Sequence, residues 1–314
     1  SKGLCLHHPN MQQFAYFPFV AMGLKMNGYR INDLLNGLPL LSSDKGLFAL
    51  NALSLQASPI SLGGSDYIRS MMDSKGRLWV GTFRQGLFLR EKGIIHHIMQ
   101  GGIPTKDINY DIVRGFLEDH AHRIWVNYHG GIGCFDEQNR RIVPLGNKAL
   151  EKYKVVNDFK EDKLHRIWVA ATQGLFVYSP ATRRTLFPKD LVKDEATQVK
   201  LNGPCKALLI DRQGWIWVGT LNGLFVINPK DKSSRFFGKV EGMPNEMING
   251  LIEDGYGDVW ATTPNGLCRF QRLQDGEQKL MVFDSQNKLG KSNFGWMSVG
   301  HLAGGNLFFG TQDG

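Results

Sequence analysis

Short apolar runs alternate with polar turns along the chain, and one run keeps returning. It reads Gly76-Arg77-Leu78-Trp79-Val80-Gly81-Thr82, then Gly86-Leu87-Phe88. It returns as Arg123-Ile124-Trp125-Val126 with Gly131-Ile132, and as Arg166-Ile167-Trp168-Val169 with Gly174-Leu175-Phe176. Two further copies are Trp215-Ile216-Trp217-Val218-Gly219-Thr220 with Gly223-Leu224-Phe225, and Asp258-Val259-Trp260-Ala261-Thr262 with Gly266-Leu267. Weaker copies are Asn306-Leu307-Phe308-Phe309-Gly310-Thr311 and Leu38-Pro39-Leu40-Leu41-Ser42 with Gly46-Leu47-Phe48. The anchors fall at 40, 79, 125, 168, 217, 260 and 308. A spacing around the mid-forties, carried by β-branched and aromatic runs bounded by Gly, predicts four-stranded propeller blades.

Each repeat divides into four strands. Apolar stretches such as Tyr67-Ile68-Arg69-Ser70-Met71-Met72, Ile112 to Leu117, Ala207 to Ile210 and Ile248 to Ile252 are strand a, on the channel side. The Trp segment is strand b and the Gly-Leu-Phe segment is strand c. Later apolar pairs such as Phe236-Phe237 are strand d. Between a and b most copies carry Asp-x-x-Gly, with Asp73, Asp119, Asp211 and Asp254 in the first slot. Asp bonds the turn backbone and Gly takes positive φ, so this is a tight hairpin. His122 and His165 fill the Gly slot in two copies, where they read as tolerated left-handed residues and not as metal ligands.

Seven a–b units are present, and the last, ending at Gly314, has no c–d pair after it. The N-terminus supplies one. Gly3-Leu4-Cys5-Leu6-His7-His8-Pro9, followed by Phe14-Ala15-Tyr16-Phe17, matches Gly223 to Pro229 followed by Phe236-Phe237. The expected fold is therefore all-β: one domain over 1–314, a seven-bladed propeller of four-stranded antiparallel blades. Its last blade combines N-terminal strands c and d with C-terminal strands a and b, which removes free sheet edges.

Composition sharpens this reading. The 314 residues would suggest about two domains by length, but the balance of a–b and c–d units requires one ring. Gly, at 37 residues, is about 12% against a usual ~7%, and the excess is the punctuation of the repeat. The 42% hydrophobic content excludes disorder, and no apolar run reaches the ~18 residues of a membrane helix. The start lacks the apolar core of a signal peptide.

The repeat apolar-x-x-apolar-x-Asp-x-x-Gly-x-Ile-Trp-Val-Gly-Thr-x-x-Gly-Leu resembles the two-component regulator propeller repeat. The resemblance covers nearly the whole chain, strongly in the five Trp copies and weakly at 20–46. It implies part of the extracytoplasmic, periplasmic sensor region of a hybrid two-component histidine kinase of gut bacteria, responding to polysaccharide breakdown products. It also implies, as partners, a neighbouring propeller and a β-sandwich domain of the parent, homodimerisation, and a membrane helix and kinase outside this stretch. The chain stops inside a blade motif, as a piece of a longer sensor or a compact relative would.

Candidate chemistry concentrates at the b–c tips and the starts of strand a. These supply Arg84, Gln85, Tyr110, Tyr128, His129, Gln173, Asn222, Asn245, Asn265 and Gln312. Amides and aromatics of this kind match the paired donors and acceptors of sugar hydroxyls. Asn and Asp also simply make turns. The repeated Trp residues recur at one structural position, so they read as filling between blades. Trp215 and Trp296 are off-register and better placed for exposure. Longer insertions at His96–Asp107, Pro188–Pro204 and Gly238–Glu246 are candidates for ligand contacts or a domain interface, though the mixed charges of the second read most simply as a solvated loop.

Cys5, Cys134, Cys205 and Cys268 sit in different blades and are expected as free thiols. His7-His8 and His96-His97 are strand neighbours pointing to opposite faces, so neither pair chelates one metal. No Gly-x-Ser-x-Gly, His-Glu-x-x-His or phosphate loop occurs, and no catalytic residue, metal or cofactor is expected. The formal charge of +8 favours acidic ligands, but its basic residues are scattered, which argues against nucleic acid. The expectation is an oligosaccharide-binding sensor propeller with no membrane insertion of its own. The alternatives are a propeller that only docks to another sensor domain, and a propeller lyase or hydrolase.

Overall fold

The computed structural model describes residues 3–8, 13–18, 29–35, 38–43, 45–51, 56–99, 112–272, 278–284, 289, 293–301 and 306–311. It is a seven-bladed β-propeller of four-stranded antiparallel blades, each with its strands in the order a-b-c-d. Blade I is Tyr29–Leu35, Leu38–Ser43, Gly46–Asn51 and Gln56–Ile60. Blade II is Tyr67–Met72, Leu78–Thr82, Leu87–Glu91 and Ile94–Ile98. Blade III is Val113–Glu118, Ile124–Tyr128, Gly131–Asp136 and Arg141–Pro144. Blade IV is Val156–Glu161, Ile167–Ala171, Gly174–Ser179 and Arg184–Leu186. Blade V is Cys205–Ile210, Ile216–Thr220, Leu224–Ile227 and Ser234–Phe237. Blade VI is Gly250–Glu253, Val259–Thr263, Gly266–Arg272 and Gln278–Phe283. Blade VII is Phe294–His301 and Leu307–Thr311 from the end of the chain, completed by Gly3–His8 and Gln13–Pro18 from its start. The joining register runs Gly3 opposite Thr311 to His7 opposite Leu307. The mixed-terminus blade expected from the repeat count is thus present.

Two compact units divide the chain. One is 22–156, with blades I to III; the other is 1–21 with 157–314, holding the remaining blades.

The a–b turn shows why the repeat has its residues. In blade II, Asp73 Oδ1 accepts the Lys75 and Arg77 amides at 3.0 and 2.9 Å, closing the turn. Its Oδ2 accepts Arg77 Nε at 2.6 Å and the indole Nε1 of Trp79 at 2.8 Å. Asp119 and Trp125, Asp162 and Trp168, Asp211 and Trp217, and Asp254 and Trp260 repeat the indole bond at 2.8–3.0 Å. The five indoles are 0–3% exposed, so they are core, as their equivalence implied. The Gly slot has φ +73° at Gly76, and His122 and His165 accept the same left-handed region at +57° and +59°.

In blade V the residue four after the Asp is Trp215 in place of Arg. Arg272 from the next blade covers it at 4.8 Å, so Trp215 is only half-exposed. The side chain of Trp296 lies outside the described residues.

The Gly after Trp-Val serves a close approach between blades. A Cβ on Gly219 would lie 2.6 Å from Ile248 Cγ2, and one on Gly81 would meet the Val113 carbonyl. Side chains also tie successive blades within each unit. Ser42 Oγ donates to the Ile68 carbonyl at 2.8 Å, and Asn249 Nδ2 donates to the Phe294 carbonyl at 2.8 Å. Ser74 N–H donates to Glu118 Oε2 at 2.6 Å, and Arg212 N–H donates to Glu253 Oε2 at 3.0 Å.

The insertion Pro188–Pro204 is not simply a solvated loop. It forms helices Pro188–Leu191 and Glu195–Leu201. Asp190 takes the Phe187 amide at 3.0 Å and Asp194 caps the second helix through the Thr197 amide at 2.7 Å. Leu191, Val192 and Leu201 are buried in the core between blades IV and V. The charges that suggested a loop are therefore partly capping groups. Among the described residues, no helix is long and apolar enough to cross a membrane.

Buried carboxylates give the fold an acid limit. Burial alone would raise the Asp73 and Asp119 carboxyls. Bonds from the Trp indole and from the Arg amide and guanidinium outweigh it and hold both below their usual range. A depressed folded-state value stabilises fully above the unfolded-state value, about 3.9 for Asp, and is lost as pH falls through the folded-state value. The urea midpoint is expected to fall below about pH 4, and Asp73→Asn should flatten part of that fall. Glu253, pushed up by burial, works in the opposite sense.

Candidate functional site

The b–c turns and the loops entering strand a meet in both units, and backbone bonds pin them. In blade II, Phe83 N–H donates to the Asp66 carbonyl at 3.0 Å, and Ser65 N–H donates to Gln85 Oε1 at 2.8 Å. Gln85 N–H donates to Thr82 Oγ1 at 2.8 Å. His97 stacks on Phe88 with centroids 4.4 Å apart, and its Nε2 lies 2.6 Å from the Gln85 carbonyl. Gln85 therefore braces this turn, while Arg84 beside it is exposed, 5.7 Å over the Phe83 ring.

In blade III, His129 N–H donates to the Ile112 carbonyl at 2.9 Å, and Gly130 N–H donates to the Lys154 carbonyl at 3.1 Å. Arg114 Nη1 lies 3.4 Å from His129 Nδ1. Burial, then the charges of Arg114 and Lys154, push the His129 imidazole below its usual value. Burial likewise lowers Arg114.

Among blades IV to VII, Gly223 N–H donates to the Glu246 carbonyl at 2.8 Å. This brings the turn bearing Asn222 against the loop bearing Asn245. Asn245 Nδ2 donates to Asn265 Oδ1 at 3.1 Å, and its Oδ1 accepts the Met247 amide at 2.9 Å. Asn222, Asn245 and Asn265 thus form one group. The Asn222 side-chain amide and Asn265 Nδ2 have no protein partner among the described residues. Gln173 is half-buried, and its Oε1 is enclosed without a partner among the described residues.

Some expectations change. Tyr128 is not at a loop tip: it ends strand b of blade III, 2% exposed, in the apolar core with Trp79 and Phe135. Asn157, at the start of strand a of blade IV, donates to the Cys205 carbonyl at 2.8 Å and joins blade IV to blade V. Tyr110 and Gln312 lie outside the described residues. Cys134, Cys205 and Cys268 are free thiols, and burial pushes Cys205 and Cys268 up to about 12.

Sequence reading missed Arg114 and Lys206. Strand pairing slips between Val113 and Gly115 and between Cys205 and Ala207, leaving each cation as the extra residue of a bulge. Bulges re-aim a side chain out of the strand's alternation. Burial lowers Lys206 too. The available signal was a lone cation inside an otherwise apolar inner-strand run.

The a–b ends hold Ser74, Glu118 and His122. Ser74 Oγ and Glu118 Oε1 both address His122 Nδ1, at 3.0 and 2.9 Å. A relay needs the carboxylate on one ring nitrogen and the hydroxyl on the other. This cluster instead latches two turns.

No model of a known family matches the sequence, and neither does any curated protein. Solved structures do share the fold. The extracellular domain assigned to the hybrid two-component system BT3049 of B. thetaiotaomicron superposes with TM-score 0.71 at 20% identity, over 90% of this chain and 39% of that one. A streptogramin B lyase gives 0.69 at 14% identity, over 98% and 95%. The extracellular domain assigned to the hybrid system BT4673 of B. thetaiotaomicron gives 0.60 at 14% identity, over 99% and 49%. At such identities the likeness establishes the propeller fold. The chain spans about two fifths of the BT3049 domain and half of the BT4673 domain.

Proposed function

We propose that this chain is a ligand-sensing propeller from the periplasmic region of a hybrid two-component sensor kinase, and that it binds an oligosaccharide at its b–c turns. One observation carries the reading: turns and incoming loops are locked together by backbone bonds while polar groups, the Asn222 side-chain amide and Asn265 Nδ2 among them, have no partner among the described residues. A rigid scaffold presenting unsatisfied amides suits sugar hydroxyls without reorganisation. The repeat resemblance and the fold shared with two extracellular domains of such systems support the sensor role. Binding would act by favouring one arrangement of a sensor dimer, with a neighbouring propeller and a β-sandwich as partners. A ligand shifts that equilibrium only through its differential affinity.

Calorimetry with neutral, uronate and sulfated oligosaccharide fragments tests this. At least one fragment should bind, and Asn222→Ala with Asn265→Ala should weaken it about tenfold, roughly one or two hydrogen bonds. Absence of binding by every fragment would overturn the reading.

A further inference from the structure

The arginines that flank the repeated indoles are all neutralised. Arg77 pairs with Asp73, Arg123 with Asp119, Arg166 with Asp162, and Arg269 with Asp258, at 2.6–2.7 Å. Arg114 breaks this rule. It is half-buried, and the one side chain among the described residues that it hydrogen-bonds is His129, itself a base. The bulge lifts it out of the strand alternation toward the turn that carries His129. Lys154 stands on the loop bonded to the other end of that turn. No described carboxylate faces Arg114 or His129: burial alone acts on Arg114, and only Arg114 and Lys154 act on the ring. Three nitrogen bases therefore converge without a counter-charge among the described residues. A desolvated cation without an anion is costly, and a protein of marginal stability retains that cost where a ligand offsets it.

We propose that Arg114, His129 and Lys154 receive an anionic group of the ligand, a carboxylate or a sulfate ester on a sugar. The assignment rests on the oligosaccharide reading above and names the class of sugar. A planar guanidinium suits either oxyanion through two parallel N–H bonds. His129 adds a switchable donor. Burial, and then the cations from strand a and from the following loop, hold the free imidazole below its usual value. A bound oxyanion would offset them and favour the imidazolium. Binding would then take up a proton, and affinity would rise as pH falls through the window between the free and bound values.

The test uses the 314-residue chain and four probes: a uronic-acid disaccharide, a sulfated disaccharide, a neutral disaccharide and sodium sulfate. Calorimetry at pH 5.5 to 7.5 is paired with NMR titration of the His129 ring. One or both acidic disaccharides should bind more tightly at the lower pH and move the ring titration upward. Arg114→Met and Lys154→Gln should each weaken them about tenfold or more, with far-ultraviolet circular dichroism unchanged. The carboxylate and sulfate arms separate the two oxyanions. Acidic and neutral sugars binding alike, indifferent to both variants, would overturn the anion assignment and leave the oligosaccharide reading standing. Sodium sulfate shifting His129 while no sugar binds would support the anion site and overturn the sugar reading.

Discussion

Asp73→Ala is expected to destabilise the protein by about 3–5 kcal/mol, the range for stripping one partner from a buried, hydrogen-bonded charge. The carboxylate has no exposed surface and accepts four bonds. Its loss leaves the Trp79 indole N–H and the 5%-exposed Arg77 side chain without it inside the protein. Arg77 would keep only Glu137, bound at 2.8–2.9 Å and itself half-exposed. Asp73→Asn should cost less, because the amide oxygen can still accept one or two of these bonds. The urea midpoint checks both, and a cost below about 1 kcal/mol, that of one ordinary hydrogen bond, would contradict this account of the turn.

Trp168→Ala should cost a similar ~3–5 kcal/mol, by loss of buried area and the cavity left behind. Its ring is 1% exposed, packs in the core of blades IV and V, and lies 5.8 Å beneath Arg166. Trp168→Phe separates packing from polarity. It keeps a ring and removes the N–H that Asp162 Oδ2 accepts at 2.8 Å, while Arg166 stays on that oxygen at 2.7 Å, so about 1 kcal/mol is expected for the one lost hydrogen bond. A cost for Trp168→Phe equal to that of Trp168→Ala would mean that the indole acts through its hydrogen bond and not its volume.

These substitutions mark what the sequence made legible. Asp, Gly and Trp of the a–b turn act within six residues of one another, so their spacing carries the strand, the turn and the buried face together. The closure of blade VII was legible for a different reason: strands c and d at one terminus complement strands a and b at the other. The indole-to-carboxylate bond was there to be read in the constant interval from Asp to Trp, but spacing alone does not say that two side chains meet.

The site was less legible because its chemistry depends on pairing between strands. A bulge is a property of register, and a lone cation in an apolar run, as at Arg114, does not by itself say that the strand slips there. Tyr128 and His129 are adjacent in sequence, yet the strand ends between them, sending one ring into the core and leaving the other at the turn. Asn157 and Asn222 are the same residue type near similar loops. One is consumed by a neighbouring blade's carbonyl and the other is left with its amide uncommitted. Helices at 188–201 escaped because their caps are acidic and their apolar face is only a few residues wide.

Hydrogen exchange with and without the tightest-binding oligosaccharide fragment tests the central claim most directly. The account predicts slowed exchange at Phe83 to Gly86, His129 and Gly130, or at Asn222, Gly223 and Asn265, with the a–b turns at 73–77 and 211–215 unchanged. Slowed exchange confined to those a–b turns, or none anywhere, would contradict it.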